Sequence, residues 1–282
     1  MQRVISTYLF VSQKLTTALL GDIWDAGVPA VEIFCDRAHF DYRSPDVVRQ
    51  LKDWFADHPL RVHSLHAPTS RDLPARRESG APISISDTER VRRLDAVDEV
   101  KRALDVAESI PFQFLVQHLG ASRETIDSRR LDAAFNSLEH LVVFAKQRSV
   151  TIALENTPGD LASPTSLRQF ITDTRLADLR LCFDTGHAHM EDGVERSFDT
   201  MRDLVVTTHV HDNHGEKDEH LPPFEGSIDW NAAMKTLSYA PTAPGGLPIV
   251  LELKEAAVGA KPLEKVSAVF EKFEQTAATA RA

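Results

Sequence analysis

The chain has 282 residues, a formal net charge of −10 at pH 7 and 42% hydrophobic residues; it can bury one large core and is close to the roughly 250 residues of an eight-stranded α/β barrel. That acidity leaves no basic footprint for nucleic acid or an anionic membrane, so the expected partner is a small molecule. The two cysteines, Cys35 and Cys182, exclude a disulfide framework, the N-terminus lacks a signal-peptide core, and no apolar run reaches the ~18 residues of a membrane span, which together fit a cytoplasmic protein.

Short β-branched or aromatic runs alternate with segments of helical period from end to end, the pattern of βα units around a parallel sheet. The first strand is predicted at Val4–Tyr8 and its helix at Leu15–Ala26; the second pair follows at Ala30–Phe34 and Pro45–Asp57, the third at Arg61–His66 and Thr88–Ser109, and the fourth at Phe114–His118 and Arg129–Arg148. The second half repeats the order: Thr151–Glu155 with Pro164–Thr174, Arg180–Asp184 with Glu195–Leu204, Val205–Val210 with Asp229–Leu237, and Ile249–Leu253 with Pro262–Ala277. Val91, Leu94, Val97, Val100, Leu104 and Ala107 recur at helical spacing in the third helix, as do Leu131, Phe135, Leu138, Leu141 and Val142 in the fourth. Ser44-Pro45, Ser163-Pro164 and Asp87-Thr88-Glu89 supply helix starts. No linker, repeat or low-complexity tract intervenes, so residues 1–282 are expected to form one (β/α)8 TIM-barrel domain.

Two loops exceed what a connection requires. Ala67–Asp87 carries Arg71, Arg76, Arg77 and Glu78, and Asp212–Ser227 is acidic and His-rich. Both follow strands, so both belong to the C-terminal rim where long βα loops become lids and substrate walls. The three arginines are candidate contacts for an anionic substrate group, against the plainer alternative of a solvated loop.

Titratable side chains end strand after strand: His66 in RVHSLHAP, His118 in FQFLVQHLG, Glu155 in VTIALENTP, Asp184 and His187 in LRLCFDTGHAH, His209 in LVVTTHVHDN, and Glu252 in PIVLELK, with Asp218 and His220 in KDEH. A single histidine at a strand end is more often a hydrogen-bonded structural residue than a ligand, and a lone glutamate can pair with an arginine. Convergence of so many on one rim favours a metal site, because the mutual repulsion of buried carboxylates is tolerable only beside a cation. Gly186 is expected to let the chain turn sharply between Asp184 and His187, and Asp218 and His220, two apart, to face the same way in an extended stretch. His211 alternates with His209 and is a candidate substrate contact; His189 and His214 are expected as bystanders or supporting groups, and His39, His58, His63 and His140 as ordinary core or surface histidines.

In order, LHAP, VQHLG, ALENTPG, CFDTGHAH, HVHDN, PFEGSIDW and LELK resemble the xylose isomerase-like TIM barrels, a superfamily of sugar isomerases and epimerases, inosose dehydratases and endonuclease IV-type repair enzymes. The resemblance covers nearly the whole chain and is poor at choosing a member. From the sugar epimerase branch it implies one divalent ion held by Glu155, Asp184, His209 and Glu252. From the endonuclease IV branch it implies further ligands, His66 and His118 for one extra ion and His187, Asp218 and His220 for another, with Glu155 bridging. The Gly-rich first strand and the aromatic segment after HAP that mark the repair enzymes have no match here, where VISTYLF and TSRDLPARRESG stand instead.

The number of ions, one to three, largely decides the chemistry. Three divalent ions against Glu155, Asp184, Asp218 and Glu252 leave about +2, which favours a phosphate, whereas one ion against Glu155, Asp184 and Glu252 leaves about −1, which suits a neutral polyol or keto-sugar. The expected function is a divalent-metal-dependent isomerase or epimerase of a sugar, sugar phosphate or polyol, with Glu155 and Glu252 moving the proton through an enediolate and His187 contacting substrate. The alternative is a trinuclear zinc phosphoesterase; the segment Thr207–Ile228, with one lysine and no arginine, counts against it. A non-catalytic binding barrel is a third option, opposed by the retention of both glutamates. The core donors suit Zn, Mn, Mg or Co, and a His-rich nine-ligand site leans toward Zn. Barrels of this group often pair, so a homodimer is an open expectation, with Trp24, Trp54 and Phe40 as candidate surface apolar groups.

Overall fold

Eight strands pair in parallel, β1 (Gln2–Ser6), β2 (Ala30–Phe34), β3 (Arg61–His66), β4 (Phe114–His118), β5 (Thr151–Glu155), β6 (Arg180–Asp184), β7 (Val205–His209) and β8 (Pro248–Leu251), in the order β7-β6-β5-β4-β3-β2-β1-β8. The computed structural model describes residues 1–70, 82–121, 123–240 and 246–279. Between β7 and β8 the chain closes just past the strand ends, where Val210 N–H donates to Val250 O at 2.8 Å and Glu252 N–H to Val210 O at 3.3 Å. The result is a nearly closed (β/α)8 barrel, and that seam sets His209 and His211 beside Glu252.

Around the sheet run α1 (Thr17–Asp25), α2 (Pro45–Asp57), α3 (Arg90–Asp105), α4 (Ser128–Lys146), α5 (Pro164–Thr174), α6 (Thr185–Met190), α7 (Val194–Met201), α8 (Trp230–Leu237), α9 (Glu255–Val258) and α10 (Pro262–Thr279). Their starts follow cap chemistry: Ser44 and Ser163 precede Pro45 and Pro164 and accept from Val47 N–H and Ser166 N–H, while Asp229 accepts from Asn231 and Ala232 N–H. Strand alternation sends Ile5, Val31, Ile33, Leu154 and Leu251 outward into the main core beneath the helices. Val4, Ala30 and Val250, and separately Val116, Ala153 and Cys182, form small buried clusters apart from it, as expected for side chains facing the barrel interior. Both cysteines are buried and free. No helix among the described residues is long and apolar enough to cross a membrane.

Several sequence expectations shift. The first strand stops at Ser6, whose hydroxyl accepts from Tyr8 N–H and turns Thr7–Phe10 into a 3-10 helix, so Tyr8 leaves the sheet. The third helix begins at Arg90 and tightens into a 3-10 turn at Val106–Glu108. Val91 and Leu94, 65% and 51% exposed, are not on its buried face, which is formed by Ala96, Val97, Val100, Ala103 and Leu104. Phe40 is fully buried rather than a surface group, Trp24 is exposed, and Trp54 is stacked on His58 at 4.0 Å.

Register slips by one between β2 and β3, where Val31 partners Val62 but Glu32 partners Ser64. His63 is the extra residue of that bulge, and its Nε2 lies 3.0 Å from the Thr207 hydroxyl of β7. Burial pushes its imidazole down to about 4, so it is neutral at pH 7.

Candidate metal centre

Strand register brings the expected donors level. His118 partners Glu155 across β4 and β5, and Asp184 partners His209 across β6 and β7. The Glu155 carboxylate is central: Oε2 lies 3.1 Å from His118 Nε2, 3.4 Å from His66 Nε2 and 3.2 Å from His209 Nδ1, and Oε1 lies 3.3 Å from His187 Nδ1. Glu252 Oε2 is 3.5 Å from the same His209 Nδ1. One donor atom from each of Glu155, Asp184, His209 and Glu252 falls within 4.8 Å of the others, and the same holds for His66, Glu155 and His209, and for His187, His211, Asp218 and His220. All nine residues expected as ligands are thus gathered in one continuous cluster, with His211 among them.

The sequence builds this locally. Asp184 ends β6 and caps α6, its Oδ1 accepting from His187 N–H at 2.7 Å, which places His187 one turn above it. Gly186 serves a different purpose from the sharp turn expected of it. It lies within α6, outside the positive-φ glycines, and a Cβ there would sit 2.0 Å from His211 Cε1. Asp218 and His220 meet at 3.0 Å, but His220 adopts a left-handed φ of 48° and the pair is not simply extended. The Asp212 carboxylate organises that segment, accepting from the N–H groups of Asn213, Phe224 and Ile228 and from Trp230 Nε1.

Ring orientation is fixed from behind. His66 Nδ1 faces Ala67 O at 2.8 Å, His187 Nδ1 faces Asn156 O at 2.9 Å and His220 Nδ1 faces Glu252 O at 2.9 Å. A carbonyl only accepts, so each Nδ1 carries the proton and each Nε2 is left as a donor to metal. His209 is reversed: its Nε2 lies 3.1 Å and 3.2 Å from the two oxygens of Glu32, and Nδ1 points at Glu155 and Glu252. Glu32, fully buried mid-strand, also accepts from Ser64 Oγ at 2.8 Å. Burial pushes its carboxyl up, but His209 outweighs that and holds it at about 2.

Electrostatics separate the two glutamates. Burial raises both, yet His209 and His118 hold Glu155 well below the usual carboxylate range, whereas burial prevails at Glu252 and its pKa is raised. Asp218 is also pulled down against burial, by the nearby His187 and by His220, which bonds it at 3.0 Å. Among the described residues, His209 Nδ1, His211 Nδ1, Asp218 Oδ1 and Glu32 Oε1 are buried without a hydrogen-bond partner. His209 Nδ1, beside Glu155 and Glu252, and Asp218 Oδ1, beside His211, lie amid the carboxylates and imidazoles of the cluster and fit a divalent cation, which satisfies what protein hydrogen bonds leave open.

His189 bonds Ser227 Oγ at 2.8 Å and His214 bonds Glu219 at 2.8 Å, outside the cluster. Arg71, Arg76 and Arg77 lie outside the described residues. Sequence reading missed Glu32 and also Lys254, whose ammonium donates to Asp218 O at 2.6 Å. The signal for Glu32 was present: one carboxylate inside the otherwise apolar run AVEIF needs a partner.

Comparison with known proteins bears on the fold and the family. The sequence model of the xylose isomerase-like TIM barrel matches residues 21–268. An uncharacterized protein of Methanocaldococcus jannaschii is 29% identical over 243 residues, 83% of this chain and 78% of its own. Among solved structures, a D-tagatose 3-epimerase-like protein superposes with a TM-score of 0.80 at 21% identity, covering 100% of both chains. The IolI protein with a bound zinc atom gives 0.78 at 14% identity, covering 98% of each.

Proposed function

The chain belongs to the xylose isomerase-like TIM-barrel family, and on that footing we propose that it is a divalent-metal-dependent isomerase or epimerase of a sugar, sugar phosphate or related polyol. The observation that carries the reading is the pair of buried glutamates on either side of one imidazole nitrogen, Glu155 at 3.2 Å and Glu252 at 3.5 Å from His209 Nδ1. With Asp184 and His209 they offer four donors at the C-terminal ends of the strands, and a protein of the same fold has been solved with a bound zinc atom. When bound, the ion supplies Lewis acidity to a carbonyl and its neighbouring hydroxyl, the chemistry that stabilises an enediolate.

The proton transfers fall to the two carboxylates. Glu155 and Glu252, 3.2 and 3.5 Å from the same imidazole nitrogen, are the two groups placed to take the proton and to return it. Removal by one and return by the other, from opposite faces of a planar intermediate, inverts a carbon; return to the neighbouring carbon isomerises. The rings of Phe34 and His66, 4.8 Å apart, and Tyr8, 4.9 Å from Phe34 and 5.2 Å from His220, stand beside the donors on the β1 to β3 side. The test is turnover of a panel of ketoses and polyols by metal-loaded protein in deuterated water: solvent deuterium at the carbon next to the carbonyl supports the reading, and its absence across the panel opposes it.

A second reading, a multinuclear phosphoesterase, is favoured by one observation: the outer donors His66, His118, His187, Asp218 and His220 are continuous with the core through Glu155. Glu32 weakens it. Counting that buried carboxylate, three divalent ions leave a charge of only about +1 for an anionic substrate.

A further inference from the structure

We propose that His211 joins His187, Asp218 and His220 as the fourth protein donor of a closed metal site on the barrel rim, a proposal that rests on the metal-dependent reading above. Resemblance to the family supplies three of these residues; the fourth follows from the geometry. The Nε2 atoms of His187, His211 and His220 lie 3.7, 3.8 and 3.0 Å from the Asp218 carboxylate. One donor atom of each residue lies within 4.8 Å of the others. Tetrahedral zinc with bonds of about 2.0–2.1 Å needs donors roughly 3.4 Å apart. A contraction of about an ångström, within the reach of side-chain torsions, encloses an ion.

His211 is placed for this by packing. Its ring stacks on His220 at 4.0 Å and occupies the space that a side chain at residue 186 would fill, 2.0 Å from an added Cβ. His211 is fully buried, and Nε2 also lies 3.1 Å from Asp184 Oδ2. Asp218 Oδ1, which His211 Nε2 approaches to 3.8 Å, is buried without a hydrogen-bond partner. An ion between the four donors draws His211 Nε2 into coordination and releases Asp184 Oδ2 to the core donors.

Four protein ligands leave no open position for water, so this ion holds structure rather than activating a nucleophile. What it holds is specific. His187 comes from α6 and His211 from just past β7, whereas Asp218 and His220 belong to the segment that crosses the rim before α8. The ion therefore ties that rim segment to the barrel beside the core donors.

The experiment is zinc anomalous scattering from crystals of the wild-type protein, with zinc content and competitive chelator titration of wild type, His211→Asn and Gly186→Ala. Gly186→Ala displaces the ring without removing the imidazole, so it separates ring position from loss of a histidine. The expected result is a rim ion bonded to three imidazole nitrogens and one Asp218 oxygen. In both variants rim affinity falls at least ~10-fold, the lower range for disturbing a metal-orienting group, while core zinc is retained. A rim ion without a bond to His211, or rim affinity unchanged in a folded His211→Asn protein, overturns the proposal. If neither variant folds, the wild-type anomalous map alone decides. An ion at the core with none at the rim overturns this proposal and leaves the proposed function standing; no ion at either place overturns both.

Discussion

Replacing Glu32 by Gln should weaken the core metal site without touching a ligand. In the wild type the buried carboxylate faces His209 Nε2 at 3.1 and 3.2 Å and takes a hydrogen bond from Ser64 Oγ at 2.8 Å. With an ion bound it would keep the one imidazole proton on Nε2 and leave the Nδ1 lone pair, beside Glu155 and Glu252, for the metal. Glutamine presents one oxygen and one NH2 group. Ser64 claims the oxygen, so the amide donates to Nε2 and drives the ring proton onto Nδ1, the wrong tautomer for a ligand. Losing a buried hydrogen bond to a charged group removes about 1.5–3 kcal/mol, which agrees with the ~10–100-fold loss of affinity typical when a group orienting a metal-bound histidine is removed. The assay is competitive titration of metal-free protein with zinc against a chromophoric chelator, with circular dichroism to verify the fold. Core affinity within about twofold of wild type in a folded Glu32→Gln protein would refute the orienting role, because even the lower end of that range is tenfold.

Glu252→Gln should slow turnover of the true substrate by at least ~10²-fold, the lower range for a positioned acid or base; near-normal rates, measured with metal content verified, would remove the two-glutamate mechanism. Gly186→Ala should lower stability by about 1–3 kcal/mol, the usual cost of overpacking, since the new Cβ meets the His211 ring at 2.0 Å; an unchanged urea midpoint would mean that the ring moves without cost. His63 gives a pH signature. Its folded pKa, about 4, lies below the 6.5 of an ordinary histidine, so the unfolded chain binds the proton first: the stabilisation is complete above pH 6.5 and is lost as pH falls toward 4. The amount is on the order of 3 kcal/mol, and the pH dependence of urea midpoints between pH 7 and 4 should flatten by that order in His63→Gln; identical slopes would place the titration elsewhere.

The barrel was legible because most strands are short β-branched or apolar runs and several helix starts carry a capping residue such as Ser44, Ser163 or Asp229. Most of the donor set was legible for a related reason. A carboxylate or imidazole that ends an apolar run, like Glu155 in TIALE or Asp184 in RLCFD, must stand at the strand's C-terminal end. What escaped depended on lateral contacts that a one-dimensional pattern does not carry. Glu32 lies in mid-strand, where the shifted register opposite β3 brings Ser64 to it and barrel closure brings His209 from β7. The need for glycine at 186 comes from His211, 25 positions away in sequence, and not from local backbone conformation. Val91 and Leu94 fit the helical period yet face outward, because the buried face of α3 is set by its packing against α4 and the barrel.

The central claim is that Glu155, Asp184, His209 and Glu252 hold a divalent ion. The most direct measurement is an anomalous-difference map from crystals of the protein purified without chelators, collected above and below the absorption edge of the metal found by elemental analysis. The account predicts a peak at bonding distance from one oxygen of each carboxylate and from His209 Nδ1, about 2.0–2.2 Å if the metal is zinc. A core without a peak in protein soaked with excess zinc or manganese, or an ion that bonds His209 through Nε2 after Glu32 has turned away, would contradict it.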